Sequence, residues 1–184
     1  MTYYGGKDLA AAFRTVRANT IKIAEEIPED KYTFRAAPDT RSVAQMLAHL
    51  GVSTRFQSHV HVNKVTDMTT VNFGALFQEF MAEESKPRTK AELIDLLKSE
   101  GDKFASYLEG VNDSFLADTV KLPPGAQPPQ KTRFEMFLSA KEHEMHHRGQ
   151  LMLIERMLGI VPHLTRQMQE RMAAMQATTA QAQR

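Results

Sequence analysis

Four long stretches of this chain repeat apolar residues every three or four positions, and none alternates apolar with polar. A period near 3.6 belongs to an α-helix with one face turned to a core. In the first stretch, Asp8 to Ile27, the stripe is Leu9, Ala12, Phe13, Val16, Thr20, Ile23 and Ile27, and Pro28 ends it. The second runs from about Arg41 to Val62, after a Pro38-Asp39-Thr40 turn in which Asp39 or Thr40 is placed to cap it. Its stripe is Val43, Leu47, Leu50 and Thr54, with Met46, His49, Ser53, Phe56 and Val60 alongside. Thr89 and Glu92 make a capping-box pair opening the third stretch, which reaches about Glu109. The fourth covers about Thr132 to Leu158, punctuated by Gly159 and Pro162.

The prolines all fall between these stretches, although Gly51, Gly101 and Gly149 lie inside them. A shorter helix is expected around Phe73 to Glu84. Asn112 to Gln130, with Pro123-Pro124-Gly125 and Pro128-Pro129, reads as an irregular, extended crossover. A last helix, rich in Met and Gln, is expected from His163 to about Thr178. The whole reads as an all-α chain: a four-helix bundle with a long crossover and additional short and C-terminal helices. The bundle occupies residues 1–160, and 161–184 form a helical extension and tail.

Charge is nearly balanced, with 23 Lys+Arg against 22 Asp+Glu. That argues against a protein that tracks nucleic-acid phosphates. No apolar run approaches the roughly 20 residues needed to span a bilayer, and Met1 to Lys7 lacks the features of a secretory signal. A cytoplasmic protein is expected. There is no cysteine, so disulfides, a thiolate nucleophile and Cys-ligated metals are excluded. A transition-metal site here has to be built from His, Asp, Glu or water.

Histidine is where such a site would come from, and there are seven. His143 and His147 are one turn apart on one helix face. That face continues through Met136, Ala140, Ile154 and Leu158, so both imidazoles aim at the bundle interior. Gln150 lies about 20° from His143, and His146 about 60° away, near the edge of the stripe. Two imidazoles one turn apart can bind one metal ion through neutral nitrogens. Alternatively each is a satisfied core residue, although two buried imidazoles without a shared cation are harder to explain. The string His143-Glu144-Met145-His146-His147 also matches the zinc-protease pattern H-E-x-x-H. That reading lacks support. His163 is the only later histidine, it follows Gly159 and Pro162, and no strand is evident to hold a substrate. His49, at the boundary of the second helix's apolar face, is the better third ligand, because bundle metal sites draw side chains from facing helices. His59, His61 and His163 read as ordinary surface or boundary residues.

Two blocks resemble a known family. APDTRSVAQMLAHL, from Ala37 to Leu50, is similar to the second-helix signature of the DinB / YfiT-like family. HEMHHRGQ, from His143 to Gln150, resembles that family's H-x-x-H-H-R-G-Q block in the last bundle helix. The resemblance covers roughly residues 8–160, and the tryptophan often found before the second helix is absent, with Arg41 near its place. It implies a four-helix bundle binding a divalent metal ion, nickel or zinc, through His49, His143 and His147, with His146 an adjacent non-ligand. It also implies a tendency to dimerise. Some members of the wider superfamily that this chain resembles are transferases or isomerases using low-molecular-weight thiols.

Three neutral histidines would leave an ion with net charge and an open position, as in catalytic sites. A water or thiol there would lose its proton near neutral pH. Without cysteine, any thiolate has to come from a cofactor. The expected activity is therefore metal-dependent attack of a low-molecular-weight thiol, or water, on a small electrophilic substrate, as in an S-transferase or hydrolase. The alternative is a non-catalytic protein whose ion cross-links helices. Ser53, Gln45 and Gln150 are polar residues placed to orient ligands or substrate, although a bland role suits each. Arg148 is expected at the surface or in packing, and Glu144 to be solvated or ion-paired rather than a general base. Leu138, Met145 and Met152 make a second apolar face on the fourth helix. Either the terminal helix, with Leu164, Met168, Met172 and Met175, covers it, or a second subunit does. A homodimer is the expectation.

Overall fold

The computed structural model describes residues 4–182. In chain order the elements are α1 (Gly6–Glu26), α2 (Val43–Val62), α3 (Phe73–Glu84), α4 (Lys90–Glu109), α5 (Asp113–Ala117), β1 (Thr119–Lys121), β2 (Gln130–Thr132), α6 (Arg133–Met157) and α7 (His163–Ala182). Residues 1–3 and 183–184, including the end of the expected tail, lie outside the described residues. No helix among the described residues is long and apolar enough to cross a membrane.

Helix starts follow side-chain chemistry. Thr89 with Glu92 and Thr132 with Glu135 close capping boxes at α4 and α6. At α2 the cap is Ser42, not Asp39 or Thr40: Gln45 N donates to Ser42 Oγ at 3.3 Å, and Ser42 N to Gln45 Oε1 at 3.1 Å. Thr40 is used one step earlier, its hydroxyl donating to Ala37 O at 2.8 Å to close the preceding turn.

Helices α1, α2, α4 and α6 form the bundle. Both α1 and α2 pack against α4 and α6, so these two consecutive helices lie across the bundle from each other. The core has two apolar halves. Ile23, Ile27, Leu47, Leu50, Leu93, Leu97, Leu151 and Ile154 fill one, and Leu9, Phe13, Phe104, Leu108, Leu116 and Phe137 fill the other. Truncating any of the fully buried leucines to alanine should cost about 2–5 kcal/mol.

Between the halves runs a polar clasp. Arg17 of α1, 4 % exposed, donates from Nε to both oxygens of Glu144 on α6 at 2.8 and 3.0 Å. Its two remaining nitrogens donate to backbone carbonyls of Leu97 on α4 (2.8 Å) and Leu50 on α2 (2.9 Å). One guanidinium thus touches all three other bundle helices. Gly101 makes room for it, since a Cβ there would lie 2.9 Å from Arg17 Cγ.

The α4–α6 connection contains strands that the sequence pattern does not reveal. β1 and β2 pair antiparallel, with Val120 opposite Lys131. Three-residue strands are too short to display a period of two. Val120 is buried with Val60, Met68 and Met136, and Lys121 ties the hairpin to the segment after α2 through Thr66 O and Asp67.

Among the described residues, helix α7 is anchored at its start. His163 faces Asn19, Arg166 pairs with Glu26, and Arg156 bonds Thr165. From Gln167 to Thr179 every residue is exposed. Of the second apolar face of α6, Leu138 and Met152 are partly buried against the bundle and Met145 is exposed. Met168, Met172 and Met175 are exposed as well, so they do not cover Met145.

Candidate metal centre

His49, His143 and His147 converge. Their candidate ligand atoms all lie within 4.8 Å of one another. His49 Nε2 is 3.0 Å from His143 Nε2, which is 3.2 Å from His147 Nε2. The i,i+4 spacing on α6 supplies two rings and the facing side of α2 the third, so the expected trio meets at one point. His146 stays outside it, exposed, with its Nε2 3.2 Å from Gln150 Nε2.

The far nitrogens of two rings are fixed. His49 Nδ1 lies 2.5 Å from Glu84 Oε1, and His147 Nδ1 lies 2.7 Å from Gln150 Oε1. A carboxylate only accepts, and so does an amide oxygen, so each Nδ1 carries the proton. Each Nε2 then presents a lone pair to the shared point. His143 Nε2 can donate one proton at most and cannot satisfy both neighbours. Three convergent nitrogens with too few protons fit a cation, and the carboxylate–histidine pairing is the usual support for a metal ligand.

Electrostatics favour the neutral form of His143 and His147. Burial, with the neighbouring His147 and His49 rings, pushes His143 down to about 4. Burial also lowers His147, against the hydrogen bond its ring donates to Gln150 Oε1. Burial pushes the Glu84 carboxyl up, but the bonds from His49 and Arg41 outweigh it and hold the group below its usual range.

Glu84 was not legible in the sequence. It is the last residue of α3, which folds back on α2, and its other oxygen takes Arg41 Nε at 3.3 Å. Gln150, for which the sequence left both an orienting and a bland role open, is the hydrogen-bond partner of His147 Nδ1. Gln45 serves as a helix cap and Ser53 bonds its own helix at Leu50 O, although both also border cavities. Arg148 lines neither cavity. Glu144, the glutamate of the protease-like string, is buried in the Arg17 clasp rather than beside the trio, which removes the zinc-protease reading.

Two further histidines differ from expectation. His61 is fully buried, not at the surface. Its ring lies 3.9 Å from that of Phe137, Nε2 donates to Gln57 Oε1, and Arg133 donates to Nδ1 at 3.0 Å. Burial and the Arg133 charge push it down to about 3, so it is a neutral core residue. His163, 4 % exposed, is buried at the foot of α7. His59 is exposed as expected.

Two cavities flank the trio and share Arg41 and Glu84. One, about 510 Å³, is bordered by His147, Gln150, Gln45, Arg35 and Asp39. The other, about 400 Å³, opens between α2, α3 and α6 beside His49 and His143.

Residues 12–151 match the model of the DinB superfamily. The chain is 24 % identical over 151 residues to the uncharacterized protein YjoA of Bacillus subtilis, covering 82 % of this chain and 89 % of that one. The crystal structure of YjoA, a DinB-like protein, superposes with a TM-score of 0.61 over 82 % of this chain and 92 % of its own. YfiT of the same organism, described as a probable metal-dependent hydrolase with an unusual four-helix-bundle topology, gives 0.66 at 13 % identity, covering 87 % and 91 %. A DinB-like protein of Bacillus cereus also gives 0.66, at 14 % identity, covering 88 % and 97 %. With the family model spanning most of the bundle and the same fold in each of these structures, this chain belongs to the DinB superfamily.

Proposed function

We propose that His49, His143 and His147 hold a divalent metal ion, nickel or zinc, and that the site activates water or a low-molecular-weight thiol for attack on a small electrophile. The observation that carries this reading is the lone-pair count: three Nε2 atoms share one point, and Glu84 and Gln150 keep two of them unprotonated. The description of YfiT as a probable metal-dependent hydrolase agrees with it.

What a divalent ion supplies in such a site is positive charge that acidifies a neighbouring water or thiol into the neutral range. The protein's own contributions are separable. Glu84 holds the His49 proton on Nδ1 and fixes the ring. Gln150 does the same for His147. Arg41 orients Glu84 by occupying its second oxygen. The cavity at His147 and Gln150, with Arg35 and Asp39 on its wall, offers charged and amide groups to a co-reactant such as a thiol, which a chain without cysteine has to take from solution. The two cavities favour an accessible site over a sealed, cross-linking one. We place the protein in the cytoplasm and read it as a homodimer, with the uncovered Met145 and α7 methionines as the contact surface.

Metal analysis of untagged protein, compared with His49→Ala, His143→Ala and His147→Ala, tests the site. Wild type should carry close to one ion per chain and each variant far less; equal metal in all four ends the proposal. An activated ester then reports hydrolysis, and a thiol plus an alkylating electrophile reports transfer, each with and without chelator. Stoichiometric metal with no turnover in either assay would leave the cross-linking role.

A further inference from the structure

We infer that the cavity between α2, α3 and α6 is a binding site for an uncharged, aryl-sized apolar group of the substrate, which sets that group's reactive end against His49 and His143. The inference rests on the metal-site reading for its reaction but on the cavity alone for its ligand.

At about 400 Å³ the cavity has the size of a small-molecule site. Its walls are Val52 and Phe56 of α2, Phe77 and Phe80 of α3, and Ala140 of α6. Apart from His49 and His143, where the reactive end would sit, the polar groups of the lining are already engaged. The Ser53 hydroxyl donates to Leu50 O at 3.0 Å and that of Ser139 to Met136 O at 2.6 Å. Gln57 donates to Ser139 at 3.4 Å and accepts from His61 at 3.1 Å. At the rim, Arg41 and Glu84 neutralise each other at 3.3 Å. The wall therefore offers a ligand few unengaged donors and no unpaired charge. A polar or ionic group entering would lose hydration without replacement, whereas an aromatic ring would not.

Helix α3 adds the second observation. None of its residues is fully buried, and Phe77 is 64 % exposed although it borders the cavity. The helix that roofs the site thus keeps an aromatic side chain in water, and a ring bound beneath it would cover that surface. Because the same helix ends in Glu84, which holds His49, the bound group and the metal ligand share one support. The other cavity differs in carrying Arg35, Asp39, Gln45 and Gln150 on its wall, beside Met46, Met81 and Ile154.

The test uses the full chain and 4-fluorobenzyl alcohol, followed by fluorine NMR line broadening. Binding is expected with a Kd on the order of 1 mM, as for a fragment of this size. Ser53→Phe, which fills the cavity, should weaken it at least tenfold, and Phe77→Ala, at an exposed position where folding is not at risk, at least threefold. Met81→Ala, on α3 but facing the other cavity, should leave it within twofold. Chelator treatment should also leave it within twofold, because walls rather than an ion hold the ring. That arm separates this inference from the metal reading, which metal content tests by itself. Absence of binding at 10 mM, or equal binding by Ser53→Phe and wild type, overturns the inference. So does concentration-dependent dimerisation abolished by Phe77→Ala in a protein that binds no probe, because a second copy would then cover the helix.

Discussion

Arg17 and Glu144 form a buried, two-pronged ion pair, Nε lying 2.8 and 3.0 Å from the two carboxylate oxygens, with side chains 4 % and 2 % exposed. It joins residues 127 apart in sequence, and Glu144 lies on α6 between the metal-site histidines, with its side chain turned to α1. Because the remaining Arg17 nitrogens are also engaged, the pair is satisfied on both sides. Such a pair adds little over an apolar substitute but is costly to break on one side.

Glu144→Ala should therefore destabilise the fold by about 3–5 kcal/mol, because it strands a buried guanidinium. Arg17→Met combined with Glu144→Leu should recover much of that loss. Urea denaturation of the two variants checks both. A single variant indistinguishable from wild type would show that the clasp is not formed in solution.

Glu84→Ala should loosen His49 without removing a ligand. The expected loss of metal affinity is about 10–100-fold, typical of a group that orients a metal-bound histidine. Gln150→Ala should act in the same direction through His147. Competition with a chromogenic chelator measures both. Unchanged affinity in both variants would mean that the two hydrogen bonds do not fix the rings.

How far these features were legible from the sequence depends on their range. Helix starts at Lys90 and Arg133 are set by residues three apart, and chain breaks by proline, so both can be read locally. The His143–His147 pair is legible for the same reason, being one turn of one helix. Glu84 is not, because its place depends on how α3 folds back over α2 through the turns of residues 63–72. His61 reads as a surface or boundary residue because what buries it, Phe137 and Arg133, arrives from α6 some seventy positions later. Glu144 was read as solvated or ion-paired. The structure selects the paired form, but its partner is a charged residue within the apolar stripe of α1, a position that sequence alone gives no reason to pair. The β1–β2 hairpin escaped because its strands are too short for a pattern.

Glu155 predicts a pH dependence. It is fully buried on α6, with neither carboxylate oxygen hydrogen-bonded. Burial first, and Glu26 second, push its pKa up to about 7, with Arg166 and Arg156 opposing. A carboxyl raised in the folded state keeps its proton there while the unfolded chain loses it from pH 4.5 upward. Its contribution is present below that value and is lost as pH rises to about 7, amounting to roughly 3 kcal/mol. Glu26 and His163 beside it are both lowered, so each loses stability as pH falls, and wild type alone mixes the opposing trends. The comparison with Glu155→Gln isolates the effect. The variant should gain stability relative to wild type between pH 5 and pH 8, by denaturation at each pH. A constant difference across that range would show that Glu155 is ionised throughout.

Gly101 and Gly149 both interrupt helices, yet alanine should act on them in opposite directions. Alanine is favoured over glycine in a helix interior by about 1 kcal/mol. At Gly149, on the exposed side of α6, an added Cβ meets nothing within 4 Å, so Gly149→Ala should stabilise by about 0.5–1 kcal/mol. At Gly101 the same atom would lie 2.9 Å from Arg17 Cγ and 3.4 Å from Cδ and one terminal nitrogen. The stem of Arg17 cannot retreat, because its head is held by Glu144, Leu97 O and Leu50 O. Gly101→Ala should therefore destabilise by about 1–3 kcal/mol despite its better helix propensity. In the Glu144→Ala background, where the guanidinium is freer to shift, the penalty should shrink. A thermodynamic cycle over Gly101 and Glu144 measures that coupling, and a coupling energy of zero would mean that the glycine accommodates something other than the clasp.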